Sequence, residues 1–205
     1  ADGTYNVTVT INSCTSSAGT VLVDVEQTPE TPTASYNSPL CSGNALNLTS
    51  STTSTMPLTW SWSGPNTFTS SQQSPQVSAT ATTAMSGAYI VTATATYSSY
   101  ATPLVCASTQ GSVVVIVKKT PIITSSSSND PTNCASATGS IILNGLDANE
   151  TYSISYTGPA GVVNLPSVTA NSSGILTIAS IPAGGYSNVL VTLNGCASAP
   201  AGPFT

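Results

Sequence analysis

Five cysteines, Cys14, Cys41, Cys106, Cys134 and Cys196, are the residues of this sequence best suited to chemistry. A cysteine can ligate a metal, act as a nucleophile or cross-link the chain. No two of the five lie within ten residues of each other and there is no histidine, so zinc-type spacing is absent. Nucleophilic catalysis needs a nearby base, and general acid–base work needs paired groups. The seven acids are scattered, and the closest pairs are Asp24 with Glu26 and Asp147 with Glu150. The first pair alternates along a strand and reads as a solvated edge. The second follows the Asn144-Gly145 turn and lacks the dense Asp/Asn/Gly array of a calcium loop. Lys118-Lys119 lies in no motif that would support an intramolecular isopeptide bond and reads as a solvated linker. The expectation is a protein with no catalytic residues, no metal and no cofactor, whose cysteines form disulfides.

Composition narrows the function classes further. The 205 residues contain two lysines, no arginine and seven acids, for a net charge of −5. Nothing here neutralises a run of phosphates, so nucleic acid is not an expected partner. No stretch of about 18 apolar residues exists to span a membrane. No charged segment followed by an apolar one opens the chain, so a signal has been removed or the sequence is an internal piece. Serine and threonine number 67, and 40% of residues are apolar. Low charge with this much apolar content argues against disorder. A surface of hydroxyls suits a secreted, extracellular molecule exposed at the cell surface. Asn6, Asn47, Asn149 and Asn171 fit the N-glycosylation pattern, which is frequent by chance in so hydroxyl-rich a chain.

A repeat organises the sequence. Gly3-Thr-Tyr5-Asn-Val7-Thr-Val9-Thr-Ile11 leads to Cys14. Gly87-Ala-Tyr89-Ile-Val91-Thr-Ala93-Thr-Ala95 leads, after a longer tip, to Cys106. Gly184-Gly-Tyr186-Ser-Asn-Val189-Leu-Val191-Thr-Leu193 leads to Cys196. Each is a glycine, a tyrosine, an alternating strand and a cysteine, which reads as a closing hairpin. Upstream, Cys41 and Cys134 each sit just before a strand. Each full unit thus has one early and one late cysteine, and Cys14 is the late cysteine of a unit whose early half is missing.

These marks give residues 1–27 as the C-terminal strands of a preceding module, 28–118 as one β-sandwich and 119–205 as another. The Pro/Thr stretch from Gln27 and the Lys118-Lys119-Thr-Pro121 stretch read as stiff linkers. The predicted fold class is all-β: tandem immunoglobulin-like antiparallel β-sandwiches with intradomain disulfides. Four cysteines allow three connectivities; the repeat favours Cys41 with Cys106 and Cys134 with Cys196, leaving Cys14 unpaired or with an external partner. Tyr5, Tyr89 and Tyr186 open the late strands, as the tyrosine of a tyrosine corner does, and are expected in the core. Trp60 and Trp62 share a face with Leu58, and one of them is expected to pack on the Cys41–Cys106 bridge.

Residues 28–118 resemble the Ig-like modules of large secreted Bacteroidetes proteins. Pro32 to Cys41, Asn44 to Thr49, Trp62-Ser-Gly-Pro-Asn-Thr-Phe68 and Ser86-Gly-Ala-Tyr89 carry that likeness. Residues 119–205 are similar to the SprB-type repeats of gliding-motility adhesins of that group, through Asn133-Cys134, Gly139-Ser-Ile141, Gly145-Leu146, Tyr152, Tyr156, Gly174 to Ile178 and Ile181 to Tyr186. The resemblance implies a spacer or adhesive segment of a long surface protein exported by type IX secretion, with neighbouring modules, copies of itself or surface glycans as partners. Two alternatives are a filament subunit assembled by strand addition, and a carbohydrate-binding module using Tyr97, Tyr100 and Trp60. The long tip Tyr97 to Leu104 is where unit-specific contacts are expected.

Overall fold

The computed structural model describes residues 2–100, 102–132 and 136–205, and Cys134 lies outside them. The chain forms two compact units. One comprises residues 1–36, 47–75 and 88–114; the other comprises 37–46, 76–87 and 115–205.

The first unit opens with a hairpin: β1 (Gly3–Val7), β2 (Thr10–Ile11), β3 (Cys14–Thr15) and β4 (Gly19–Val23). β1 pairs antiparallel with β4, and β2 with β3. The strands of the next stretch of chain are β5 (Thr33–Tyr36), β6 (Leu40–Cys41), β7 (Leu46–Ser51), β8 (Leu58–Gly64), β9 (Phe68–Ser70), β10 (Gln76–Ser78), β11 (Gly87–Tyr97), β12 (Leu104–Ala107), β13 (Gly111–Val115) and β14 (Val117–Lys118). β5 and β7 pair antiparallel. β12, β11, β8 and β9 form a sheet in that order, with Val91 opposite Trp62 and Ala93 opposite Trp60. Burial follows the period of two that a strand imposes: Tyr89, Val91, Ala93 and Ala95 are all buried while the residues between them are not.

In the second unit β15 (Ser125–Asn129), β16 (Gly139–Asn144) and β19 (Leu176–Ile181) form one sheet. β17 (Thr151–Gly158), β18 (Gly161–Thr169), β20 (Ser187–Leu193) and β21 (Cys196–Ala197) form the other, in the order β18-β17-β20-β21. Named A, B, C, C′, E, F and G along the chain, these strands have the A-B-E and C′-C-F-G layout of an immunoglobulin-like sandwich. The sheet around β11 repeats the C′-C-F-G half. Ile141 and Leu143 from one sheet join Tyr152, Ile154, Val189 and Val191 from the other in a single core. The expected all-β, immunoglobulin-like class is what the chain adopts. Its helix, among the described residues, is one 3-10 turn at Thr83–Met85.

The repeated glycine has a backbone cause. Gly3, Gly87 and Gly184 stand two residues before the three tyrosines with φ of 153°, 146° and 148°, a region that residues with a side chain rarely enter. The same kink therefore turns the chain into each late strand.

The segments read as linkers are built into the units instead. Pro29 and Pro32 are buried, Glu30 N–H donates to Ser54 Oγ at 2.8 Å, and Thr31 and Thr109 share a short hydroxyl contact. In the second unit Pro121 is buried and Lys118 belongs to β14, which pairs in parallel with β6. A proline lacks a donor but loses nothing when buried if its flanking groups find partners, which is what happens here.

Candidate functional site: the cross-linked edge around Cys41

The one disulfide among the described residues joins Cys41 to Cys196, 155 residues apart, with Cα atoms 5.6 Å apart. This corrects the pairing expected from the repeat. Cys106 is a half-buried free thiol and is bonded to no partner; Cys196 takes Cys41 instead. Whether Cys134 is bonded lies outside the described residues. Cys14 is exposed and free, as expected.

The reason is the path of the chain near Cys41. Leu40–Cys41 leaves the strand before it to pair in parallel with Val117–Lys118, Leu40 opposite Val117 and Cys41 opposite Lys118. Ser42 N–H then donates to the Lys118 carbonyl at 2.7 Å. Thr120 returns twice to Ser42: its N–H donates to Ser42 Oγ at 2.9 Å and its Oγ1 to the Ser42 carbonyl at 2.7 Å. The Lys118 ammonium donates to the Asn194 carbonyl at 3.0 Å, which holds the β20–β21 turn beside Cys41. Lys119 pairs with the Asp147 carboxylate. Asp147, which follows the Asn144-Gly145 turn, is thus held by a lysine. The site is a covalent and hydrogen-bonded clamp.

A local frame around the late cysteines escaped the sequence reading. Cys14-Thr-Ser16, Cys106-Ala-Ser108 and Cys196-Ala-Ser198 share a Cys-x-Ser pattern. Ser16 N–H donates to the Val9 carbonyl, Ser108 N–H to that of Ala93 and Ser198 N–H to that of Val191, each at 2.8 Å. The serine hydroxyls in turn accept the N–H of Val9 at 3.1 Å, Ala93 at 3.0 Å and Val191 at 3.1 Å. Each serine fills the place of a strand residue, closing both backbone groups of its partner. A Ser two positions after each Cys was the available signal.

The aromatic residues divide. Trp62 is 1% exposed and its indole N–H donates to the Gln73 carbonyl at 3.3 Å; no Cys41–Cys106 bridge exists for it to pack on. Trp60 is only half-buried. Tyr89 is fully buried, edge-on to Phe68 with ring centroids 5.6 Å apart. Tyr186 is buried and its hydroxyl donates to the Pro182 carbonyl four residues upstream at 2.8 Å, the tyrosine-corner bond. Tyr186→Phe is expected to cost about 1 kcal/mol, the worth of one part-buried neutral hydrogen bond; urea melts would measure it. Tyr5 breaks the pattern at 50% exposure; among the described residues its strand β1 belongs to a two-stranded sheet with β4.

The long tip after β11 makes specific contacts, with the segment before β5. Tyr97 hydroxyl donates to the Gln27 carbonyl at 2.7 Å. Tyr100 hydroxyl donates to Glu26 at 3.0 Å and Asp24 at 3.2 Å. The pair read as a solvated edge is therefore an acceptor for tyrosine. Partial burial, then the hydrogen bond and charge of Glu26 and the charge of Asp24, push the Tyr100 phenol up to about 12. A raised phenol favours the folded contact fully below the ordinary value of about 10 and loses that advantage as pH climbs towards 12. Ultraviolet titration of Tyr100→Phe is expected to show one fewer late tyrosine than the wild type, in which burial also raises Tyr89, Tyr97, Tyr152 and Tyr186.

At one end of the second unit lies an apolar cavity of about 400 Å³, lined by Ile141, Ile181, Pro182, Tyr186 and Phe204 among others. Asp130 also lines it.

No family model and no curated protein matches the chain. Among solved structures, the crystal structure of murine CEACAM1b is similar at 15% sequence identity and a TM-score of 0.40, over 82% of this chain and 96% of that one.

Proposed function

We propose that this chain is a load-bearing segment of a long extracellular repeat protein, a stalk or adhesin at the cell surface. The observation that carries this reading is the Cys41–Cys196 bond, which encloses three-quarters of the sequence. Force applied at the two ends of such a chain passes through the sulfurs and leaves the enclosed residues folded. The bonds among Ser42, Lys118 and Thr120 support the same role, since they brace the backbone beside Cys41. The likeness to Bacteroidetes surface modules extends the proposal to gliding-motility adhesins exported by type IX secretion. Single-molecule pulling tests it. The oxidised chain should extend only through the residues outside the loop. Reduction should release the enclosed residues 42–195, roughly 500 Å of additional length at about 3.4 Å per residue. Full extension without a reductant would end the mechanical reading.

One observation favours a second reading, a filament subunit joined by strand addition. On β1 and β4 the apolar residues Tyr5, Val7, Val21 and Leu22 are 50–75% exposed, and such an edge can accept a strand from another chain. Imaging of the isolated chain at high concentration separates the two. The carbohydrate-binding reading draws no support from Tyr97 and Tyr100, whose hydroxyls are bonded within the chain.

A further inference from the structure

The apolar cavity at the end of the second unit has a filled counterpart within the same unit. In the counterpart, Val115 and Val117 are 0% and 4% exposed. On one side Val117 pairs in parallel with Leu40, the residue before Cys41. On the other side its N–H donates at 3.0 Å to the Oγ of Ser86, the residue before the kinked Gly87. The cavity has the matching residues for walls. Pro131 and Thr132, just ahead of Cys134, stand on one side, and Ile181, Ala183 and Gly184 on the other. Ala183 precedes Gly184 as Ser86 precedes Gly87, and the two glycines share their kink, with φ of 148° and 146°. Ile141, fully buried, lies at the apolar floor. What differs is the filling. A valine strand of the chain itself lies in the first place, and the second is a cavity of about 400 Å³.

We propose that this cavity is a strand-docking socket, which takes from a partner chain an extended segment with valine or isoleucine at alternate positions and a lysine after them. The alternation follows from strand geometry, which sends every second side chain to one face. Main-chain pairing with a sheet edge and pockets for alternate side chains are how such segments are recognised. β-Branched residues suit the pleated walls, and their burial drives the docking. The lysine follows from charge. Asp130 is exposed at the cavity, and the chain's own filling strand runs from Val117 into Lys118 and Lys119. An exposed pair of this kind adds little affinity and is screened by salt, so it orients the segment more than it holds it.

The inference goes beyond the stalk reading and concerns a different surface from the β1–β4 edge of the filament reading, since the acceptor lies in the other unit. Its outcome is independent of whether the chain bears load.

The probe is a fluorescein-labelled peptide with the sequence of residues 111–119, Gly-Ser-Val-Val-Val-Ile-Val-Lys-Lys, titrated with the oxidised full chain and followed by anisotropy. It should bind. The same peptide carrying Val115→Asp and Val117→Asp should bind at least about tenfold more weakly, the ratio that burial of one valine supports. Ala183→Trp in the chain, at an exposed position of the cavity wall, should obstruct the socket and weaken binding by about the same factor. Asp130→Asn should leave most of the affinity and reduce its salt dependence. Nuclear magnetic resonance of the wild-type chain gives a readout that needs no variant to fold: the amides of Ala183 and Gly184 should shift on peptide addition. Absence of binding, equal binding of the aspartate peptide, or binding that leaves those amides unmoved overturns the proposal. The last result would place the peptide on another edge, β1–β4 included.

Discussion

Replacing both Cys41 and Cys196 by alanine is expected to destabilise the chain by about 3–5 kcal/mol. The cross-link closes a loop of 155 residues, and on the chain-entropy relation a loop of that length restricts the unfolded state by roughly 5 kcal/mol. The lower end of the range reflects what survives the substitution. The hydrogen bonds from Ser42 and Thr120 and the parallel bridge at Lys118 do not depend on the sulfurs. Guanidinium melts of the oxidised wild type and the double variant would measure the loss, with a matching change when the wild type is reduced. Cys14→Ala and Cys106→Ala should each cost less than about 1 kcal/mol, since neither removes a cross-link. A loss from Cys106→Ala as large as that from Cys41→Ala would mean that the sulfurs pair differently.

Trp62→Ala should cost about 3–5 kcal/mol, the range for removing a buried aromatic side chain whose space cannot collapse. Trp62 sits at 1% exposure on β8 opposite Val91, and its indole N–H holds the Gln73 carbonyl. Gln73 is bonded to Ser50 in both directions, its amide donating to the Ser50 carbonyl and its carbonyl accepting the Ser50 hydroxyl, each at 2.9 Å, so the loss falls on packing and on one hydrogen bond. The neighbour behind the strand is equally tight. A Cβ built on Gly64 would lie 2.4 Å from the Tyr89 ring, so the ring packs directly on the backbone of β8. Trp60→Ala should cost clearly less, because Trp60 is half-exposed at the same period along the strand. Thermal or urea unfolding of the two variants side by side checks the contrast.

Several features of the fold were legible in the residues because they are local. A glycine before a tyrosine and an alternating run specifies a kink and a strand with one buried face, and the three copies fold alike over their cysteine ends. The tyrosine corner at Tyr186 and the burial of Tyr89 follow from the same pattern. Tyr5 departs from it because burial requires a second sheet, and a strand's own sequence does not supply one. The alternation of Leu58, Trp60 and Trp62 assigns all three to one face. Depth along that face is a property of what lies opposite, and it separates Trp62 from Trp60.

The sulfur pairing shows the limit most clearly. By itself the sequence determined an all-β chain of cysteine-closed hairpins, low in charge and without histidine. The tertiary structure alone decided that Cys41 meets Cys196. Early and late cysteines are equivalent in sequence, and any early one fits any late one by pattern. Only the turn of Leu40–Cys41 onto the strand ending at Lys118, with that lysine held to Asn194, brings one pair of Cα atoms to 5.6 Å. A disulfide needs proximity within a few ångströms and the right direction between backbones, and neither is encoded in the spacing along a chain.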